Sequence, residues 1–131
     1  MEKLALGNSL GAIRIADEVV EVIAGLAASE VEGVAGMSGG FVGDLAHMLG
    51  RNKNLSKGVK VEVGEHETAV DLFVIMEYGV SIPKVALRVQ EAVKEAIESM
   101  TGLSVVETNV HVLGINFRAV PEIKEEETRL R

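Results

Sequence analysis

The chain has no cysteine and no tryptophan, and it carries one tyrosine, three phenylalanines and two prolines. Without cysteine there can be no disulfide, no thiol nucleophile and no thiolate-held metal or iron–sulfur cluster, which fits a reducing cytoplasm. With aromatics at 3% the chain has few platforms on which bases could stack. Positive charge is also in deficit. Thirteen Lys and Arg face twenty Asp and Glu, a formal net charge of −7 that works against general attraction to nucleic acid or anionic lipid. No stretch approaches the roughly 18 uninterrupted apolar residues of a membrane span, so direct membrane insertion is not expected. The first sixteen residues scatter Glu2, Lys3 and Arg14 among short apolar pieces and lack the layout of a signal peptide.

What is present is the material of one folded domain. At 131 residues, 47% apolar and 25% charged, the chain can bury a core of its own without staples. Valine, isoleucine, leucine and alanine dominate the apolar set. The expected division is an N-terminal extension over 1–10, a single α+β domain over 11–117, and a charged tail over 118–131.

Gly11 to Ala16 alternates, with Ile13 and Ile15 on one side of Arg14, and reads as a short strand. Asp17 then stands where an N-cap belongs, and Val19, Val20, Val22, Ile23, Leu26 and Ala27 form the apolar stripe of a helix stopped near Gly33. Val34 to Met37 fits a brief strand. Glycines crowd the next segment, where Phe41 to Leu49 could make a short helix before a loop over 51–57. Val59, Val61 and Val63 alternate with Lys60 and Glu62. After a polar turn, Val70 to Tyr78 is apolar on both sides, and the two runs suit a hairpin. A helix with Ser81 as cap and Pro83 in its first turn follows, its stripe being Val85, Val89, Ala92, Val93, Ala96, Ile97 and Met100, ended by Gly102. In the last strand Val106, Val110 and Val112 alternate with Glu107, Asn109 and His111, and Gly114 permits a bulge that would turn Ile115 and Phe117 inward. The expected architecture is a small mixed β-sheet with two long helices packed on one face, of core order α-β-β-α-β after a short N-terminal strand.

A reaction centre needs converging nucleophiles, bases or metal ligands. His47, His66 and His111 fall in an irregular segment, a turn and the polar face of a strand, without metal-ligand spacing, and read as solvated. Glu65, His66 and Glu67 are consecutive and cannot all point one way. No catalytic residue, metal site or cofactor is therefore expected. The glycine run lacks the Lys-Ser/Thr ending of a P-loop and the GxGxxG of a dinucleotide turn. Gly36-Met37-Ser38-Gly39 does match the GxxG of a KH domain, and Gly36, Gly39 and Gly40 with the basic Arg51, Lys53 and Lys57 make a candidate anion or partner loop, Lys60 adding to the local positive charge. A KH-like RNA-binding module using Gly36–Gly39 and the segment Arg51–Lys60 is thus the alternative reading, opposed by the overall charge.

Phe73 and Ile75 are more informative. A sheet with helices on one face should be polar on the other, so these two require a cover. Either the N-terminal strand or residues 41–49 fold across them, or they form a surface for self-association or a partner.

Several phrases carry a family likeness. They are Glu21-Val22-Ile23-Ala24-Gly25-Leu26-Ala27-Ala28-Ser29-Glu30-Val31-Glu32-Gly33-Val34, Lys57-Gly58-Val59-Lys60-Val61 and Glu77-Tyr78-Gly79. Val89-Gln90 with Val93-Lys94, Met100-Thr101-Gly102-Leu103, and Asn109-Val110-His111-Val112 before Gly114 complete the set. Over about residues 10–117 the chain resembles the alkaline-shock-protein (Gls-type) envelope stress response family. The resemblance implies a non-enzymatic cytoplasmic bacterial protein that works through other proteins; a homo-oligomer is expected beside it, with Phe73 and Ile75 as the self-association surface. Some members are held at the membrane by a separate anchor protein; others are encoded near acetyl-CoA carboxylase genes and linked to restraint of fatty-acid synthesis. The Glu-Val-Glu-Gly-Val phrase, the Gly-Gly-Phe excursion and the charged tail resemble the second group more closely. The family offers no catalytic residues to carry over.

Overall fold

The computed structural model describes residues 5–38 and 58–117, with side chains from Ser9 onward. The chain runs β1 (Ala5–Asn8), β2 (Gly11–Arg14), α1 (Asp17–Ser29), β3 (Val34–Met37), β4 (Val59–Val63), β5 (Glu67–Glu77), α2 (Ile82–Thr101) and β6 (Ser104–Asn116). This is the α+β architecture expected, with two additions at the start: Ala5–Asn8 is itself a strand, and it pairs antiparallel with Gly11–Arg14 as a separate ribbon.

The main sheet is organised around β5. On one side β4 and β3 both pair with it antiparallel, β4 along Thr68–Leu72 and β3 along Val74–Met76; on the other side β6 runs parallel along nearly its whole length. The sheet is therefore mixed. Its parallel pair is joined through α2, as a parallel neighbour requires a crossover.

Alternation on β5 decides the layers. Val70, Leu72, Val74 and Met76 are fully buried, while Asp71, Phe73, Ile75 and Glu77 on the other face are half-buried. Both helices lie on the face of the even-numbered residues. From α1 come Val20, Ile23, Ala24 and Ala28, and from α2 come Val85, Val89, Val93 and Ile97, all buried in one cluster with the sheet. Each fully buried aliphatic side chain contributes about 1.5–3 kcal/mol of transfer free energy, so this layer is the main source of stability.

Several details differ from the expectations drawn from periodicity. Asp17 is the first residue of α1, and the cap position belongs to Ala16, with no side-chain cap. Val19 and Leu26 lie at the edge of the α1 stripe and are substantially exposed, and Met100 is 68% exposed at the end of α2. A bulge in β6 opposite Thr68 and Ala69 shifts the alternation by one, which makes Val105 a core residue and exposes Val106. The bulge expected near Gly114 is present and turns Ile115 against the core, but Phe117 is 52% exposed beside Tyr78, ring centroids 5.4 Å apart.

Helix ends are tied to the sheet by polar contacts. Gly102 closes α2 in the left-handed conformation, φ 82°. Thr101, itself buried, donates through Oγ1 to the Ile97 carbonyl at 2.6 Å and accepts the Leu103 N–H at 3.1 Å, so a buried hydroxyl links the last turn to the start of β6. Glu98 accepts from Lys94 at 2.8 Å and from the Val105 N–H at 2.9 Å.

Candidate functional site

The face of the sheet away from the helices is set by strand register. Residues directly opposite one another share a face. Lys60 stands opposite Asp71, Asp71 opposite Asn109, and Phe73 opposite His111, so β4, β5 and β6 each contribute to one continuous surface. Phe73 and Ile75 are both on it, as the alternation of β5 dictates.

Phe73 sits between two cations or potential cations. Its ring stacks on His111 with centroids 4.5 Å apart and planes 12° from parallel, and Lys60 Nζ lies 5.8 Å from its centroid. Beside it Asp71 Oδ1 accepts from Asn109 Nδ2 at 3.1 Å, and His111 Nε2 stands at the same distance, donating when that nitrogen carries the proton. Asn109 also donates to Glu107 Oε2 at 2.8 Å. The hydrogen bond from His111, then that from Asn109, lower the Asp71 carboxyl below its ordinary value. The aromatic ring is thus flanked by polar side chains from β4 and β6, the His111 partner being tied in turn to Asp71.

Ile75 has a different setting. Its neighbours across both strand boundaries are glycines, Gly36 on β3 and Gly114 on β6. A Cβ on Gly114 would come within 3.3 Å of Ile75 Cδ1, whereas one on Gly36 would meet nothing within 4 Å. The isoleucine therefore lies over backbone, and among the described residues nothing stands close over Gly36 on the β3 side. Leu113, in the β6 bulge next to Gly114, is 59% exposed.

Of the covers considered for this face, the N-terminal ribbon leaves all four residues of β2 exposed, with Ile13 52% accessible, and residues 41–49 lie outside the described residues. In the candidate anion loop, Gly36 is a ladder residue of β3 opposite Ile75. Gly39, Gly40, Arg51, Lys53 and Lys57 fall outside the described residues, as does His47.

Among the described residues no three His, Asp or Glu side chains are grouped to hold a metal ion. An open concavity of about 550 Å³ beside the β4–β5 turn is lined by Asp17, Glu62, Glu67, Thr68 and Val106, among others, and collects carboxylates without a histidine. His66, in that turn, accepts the Ser104 N–H through its backbone carbonyl at 2.9 Å. The apolar pattern of the sequence points to Phe73 and Ile75, while His111 and Lys60 read from it only as polar-face residues of their strands. Lys60 is placed by counting register from the hairpin, since alternation puts Lys60 and Asp71 on one face, whereas His111 lies across the separate β5–β6 pairing.

Fold and surface together define a small α+β module that buries one sheet face under helices and, among the described residues, leaves the other without a covering element. The chain belongs to the alkaline shock protein 23 family, a family with a cell envelope-related function, whose model matches residues 5–117. It is 47% identical over 108 residues to the uncharacterized protein YqhY of Bacillus subtilis (strain 168), covering 82% of this chain and 79% of that one. A stress response regulator gls24 homolog of Streptococcus pyogenes serotype M3 is 38% identical over 105 residues, covering 80% of this chain. The chain spans 59% of the length of that streptococcal relative. Among solved structures, MamM-CTD aligns at TM-score 0.47 and 15% identity, over 76% of this chain and 99% of that one. Within the described residues no helix is long and apolar enough to cross a membrane.

Proposed function

We propose that this protein is a non-enzymatic scaffold or regulator of the bacterial envelope stress response, acting through protein–protein contacts made by the open face of its sheet. The observation that carries the reading is the Phe73–Ile75 pair. A framed aromatic ring and an isoleucine bedded on glycines form a preorganised apolar strip with a polar rim, the composition expected of an interface core and its border. Envelope-related family membership supplies the cellular setting.

In this reading the protein works in the cytoplasm and reaches the membrane through a partner. The resemblance noted from sequence suggests two kinds of partner, a membrane-anchored protein or a component of acetyl-CoA carboxylase, the latter linking the protein to control of fatty-acid synthesis. A photo-crosslinking residue placed at Phe73 in the native cell tests this directly, with the same residue at Lys84 on the solvent side of α2 as control. The expected result is an adduct specific to position 73, identified by mass spectrometry as an envelope protein or carboxylase subunit. Equal labelling from both positions would refute the open-face reading. The RNA-binding alternative gains nothing from the described residues, and filter binding at low salt decides it independently.

A further inference from the structure

The outer edge of β6 has a property separate from the open face. Phe73 turns both of its backbone groups toward the β3–β4 side, its N–H donating to the Gly58 carbonyl and its C=O accepting the Ser38 N–H, each at 2.7 Å. Even-numbered residues of β5 therefore serve β6. Leu72 is opposite Val110, so in a parallel ladder it bonds to Asn109 and His111, and Val110 and Val112 point their N–H and C=O away from the sheet. Gln90 confirms the alternation, since its Nε2 reaches the outward Thr108 carbonyl at 2.9 Å.

The same helix thus caps the first part of this edge and leaves the outward groups of Val110 and Val112. Glu98 takes the Val105 N–H and Gln90 the Thr108 carbonyl, and among the described residues no strand lies beyond β6. From Val110 to Ile115 the edge reads Val-His-Val-Leu-Gly-Ile, without the lysine, proline or inward charge that guards edge strands.

We infer that a second copy of this chain adds antiparallel along β6, with Val110 and Val112 of one copy exchanging backbone hydrogen bonds with Val112 and Val110 of the other. A two-fold axis at His111 makes the edge its own complement, each copy supplying the donors and acceptors the other lacks. The three residues about the axis, Val110, His111 and Val112, carry no carboxylate, so two copies of a chain with net charge −7 meet there without acidic side chains directly opposed. The nearest chain in sequence, residues 118–131, contains Pro121 and eight charged residues, a composition poorly suited to occupying the edge as a strand. Pairing continues the sheet through both copies and sets their open faces side by side.

Light scattering across a dilution series of the full chain, with residue-resolved amide exchange, tests the assignment. The expected result is twice the 13.9 kDa chain mass, falling to the chain mass on dilution. Val110 and Val112 amides should exchange more slowly as concentration rises, while Asn109 and His111, bonded to β5, should not respond. Val112→Pro removes an outward N–H and Leu113→Lys adds a guarding charge without touching the backbone; each should shift dissociation to higher concentration with the fold retained by circular dichroism. A chain mass at every concentration, or a dimer in which Val110 and Val112 exchange freely, overturns the proposal. Phe73→Glu should leave this dimer intact, so loss of the edge contact and loss of partner binding at the open face are read separately.

Discussion

Ser38 and Gly58 stand side by side against one residue of the central strand: Ser38 donates its N–H to the Phe73 carbonyl and Gly58 accepts the Phe73 N–H, both at 2.7 Å. Two residues far apart in sequence thus perform the backbone work of one. Met37 is opposite Val74 and Val59 is opposite Leu72, so β3 and β4 are two halves of a single row. Gly58 is required by closeness, since a Cβ there would lie 2.9 Å from the Phe73 carbonyl oxygen and its φ is +79°.

Removing residues 38–57 and joining Met37 to Gly58 should therefore keep the sheet register. Gly58 would face Phe73 alone and make both bonds, its lack of a Cβ letting it relax to extended backbone. The expected outcome is a cooperative melt with the strand and helix signals of the full chain in circular dichroism. A molten or insoluble product would show that the excursion supplies part of the core.

Gly33 is the second position where glycine is structurally demanded. Its φ is +104°, and a Cβ would sit 2.7 Å from Val85 Cγ2, between the end of α1 and the start of α2. Gly33→Ala should cost about 1–3 kcal/mol from backbone strain together with overpacking. Denaturant titration measures the total. Repeating it in a Val85→Ala background isolates the strain, because the clash is then gone; equal costs in the two backgrounds would exclude the steric part.

Legibility of the fold from sequence followed the strength of its periodicity. The stripes of α1 and α2 and the alternation of β4 and β5 were readable because burial on one side selects apolar residues at a fixed spacing. The two β6 bulges were less so: Gly114 signals one by its missing side chain, whereas the other, at Val105 and Val106, falls between two valines of equal propensity. Of the N-terminal ribbon only the second strand, from Gly11, is legible by alternation; Ala5–Asn8 lies in an exposed two-stranded element and carries no one-sided apolar pattern. For the site, Phe73 and Ile75 stood out as apolar residues on a face that should be polar. The ring stack with His111 depends on the pairing of β5 with β6, across a helix and dozens of residues, and no local pattern encodes it.

Glu98 offers a test of how α2 is fastened to β6. It accepts both the Lys94 ammonium and the Val105 N–H, and these bonds, in that order, lower its carboxyl from the ordinary value. Lys94→Ala removes only an exposed i,i+4 pair, while Glu98→Ala also strips the Val105 amide of its acceptor. The melting temperature should fall more for Glu98→Ala than for Lys94→Ala. Equal shifts would mean the backbone contact contributes nothing.

The polar frame around Phe73 has a pH signature whose sign is fixed by Asp71. Its carboxyl is lowered in the folded protein, chiefly by the His111 hydrogen bond and then by Asn109, so the folded state holds its proton less tightly than the unfolded chain. The stability this supplies is present above the unfolded carboxyl value, near pH 4, and is lost as pH falls through the lower folded value. Side chains of Asp71 and His111 are 40% and 44% exposed, so screening holds the contribution to about a few tenths of a kcal/mol. Asp71→Asn should flatten the acid limb of the stability profile by that amount and change little at neutral pH beyond the loss of the same contribution. Thermal melts from pH 3 to 7, read beside the fluorescence or NMR signals of the Phe73 ring, would show a ring freed from its stack in the variant; an unchanged acid limb and an unmoved ring would mean the carboxylate does not hold the frame.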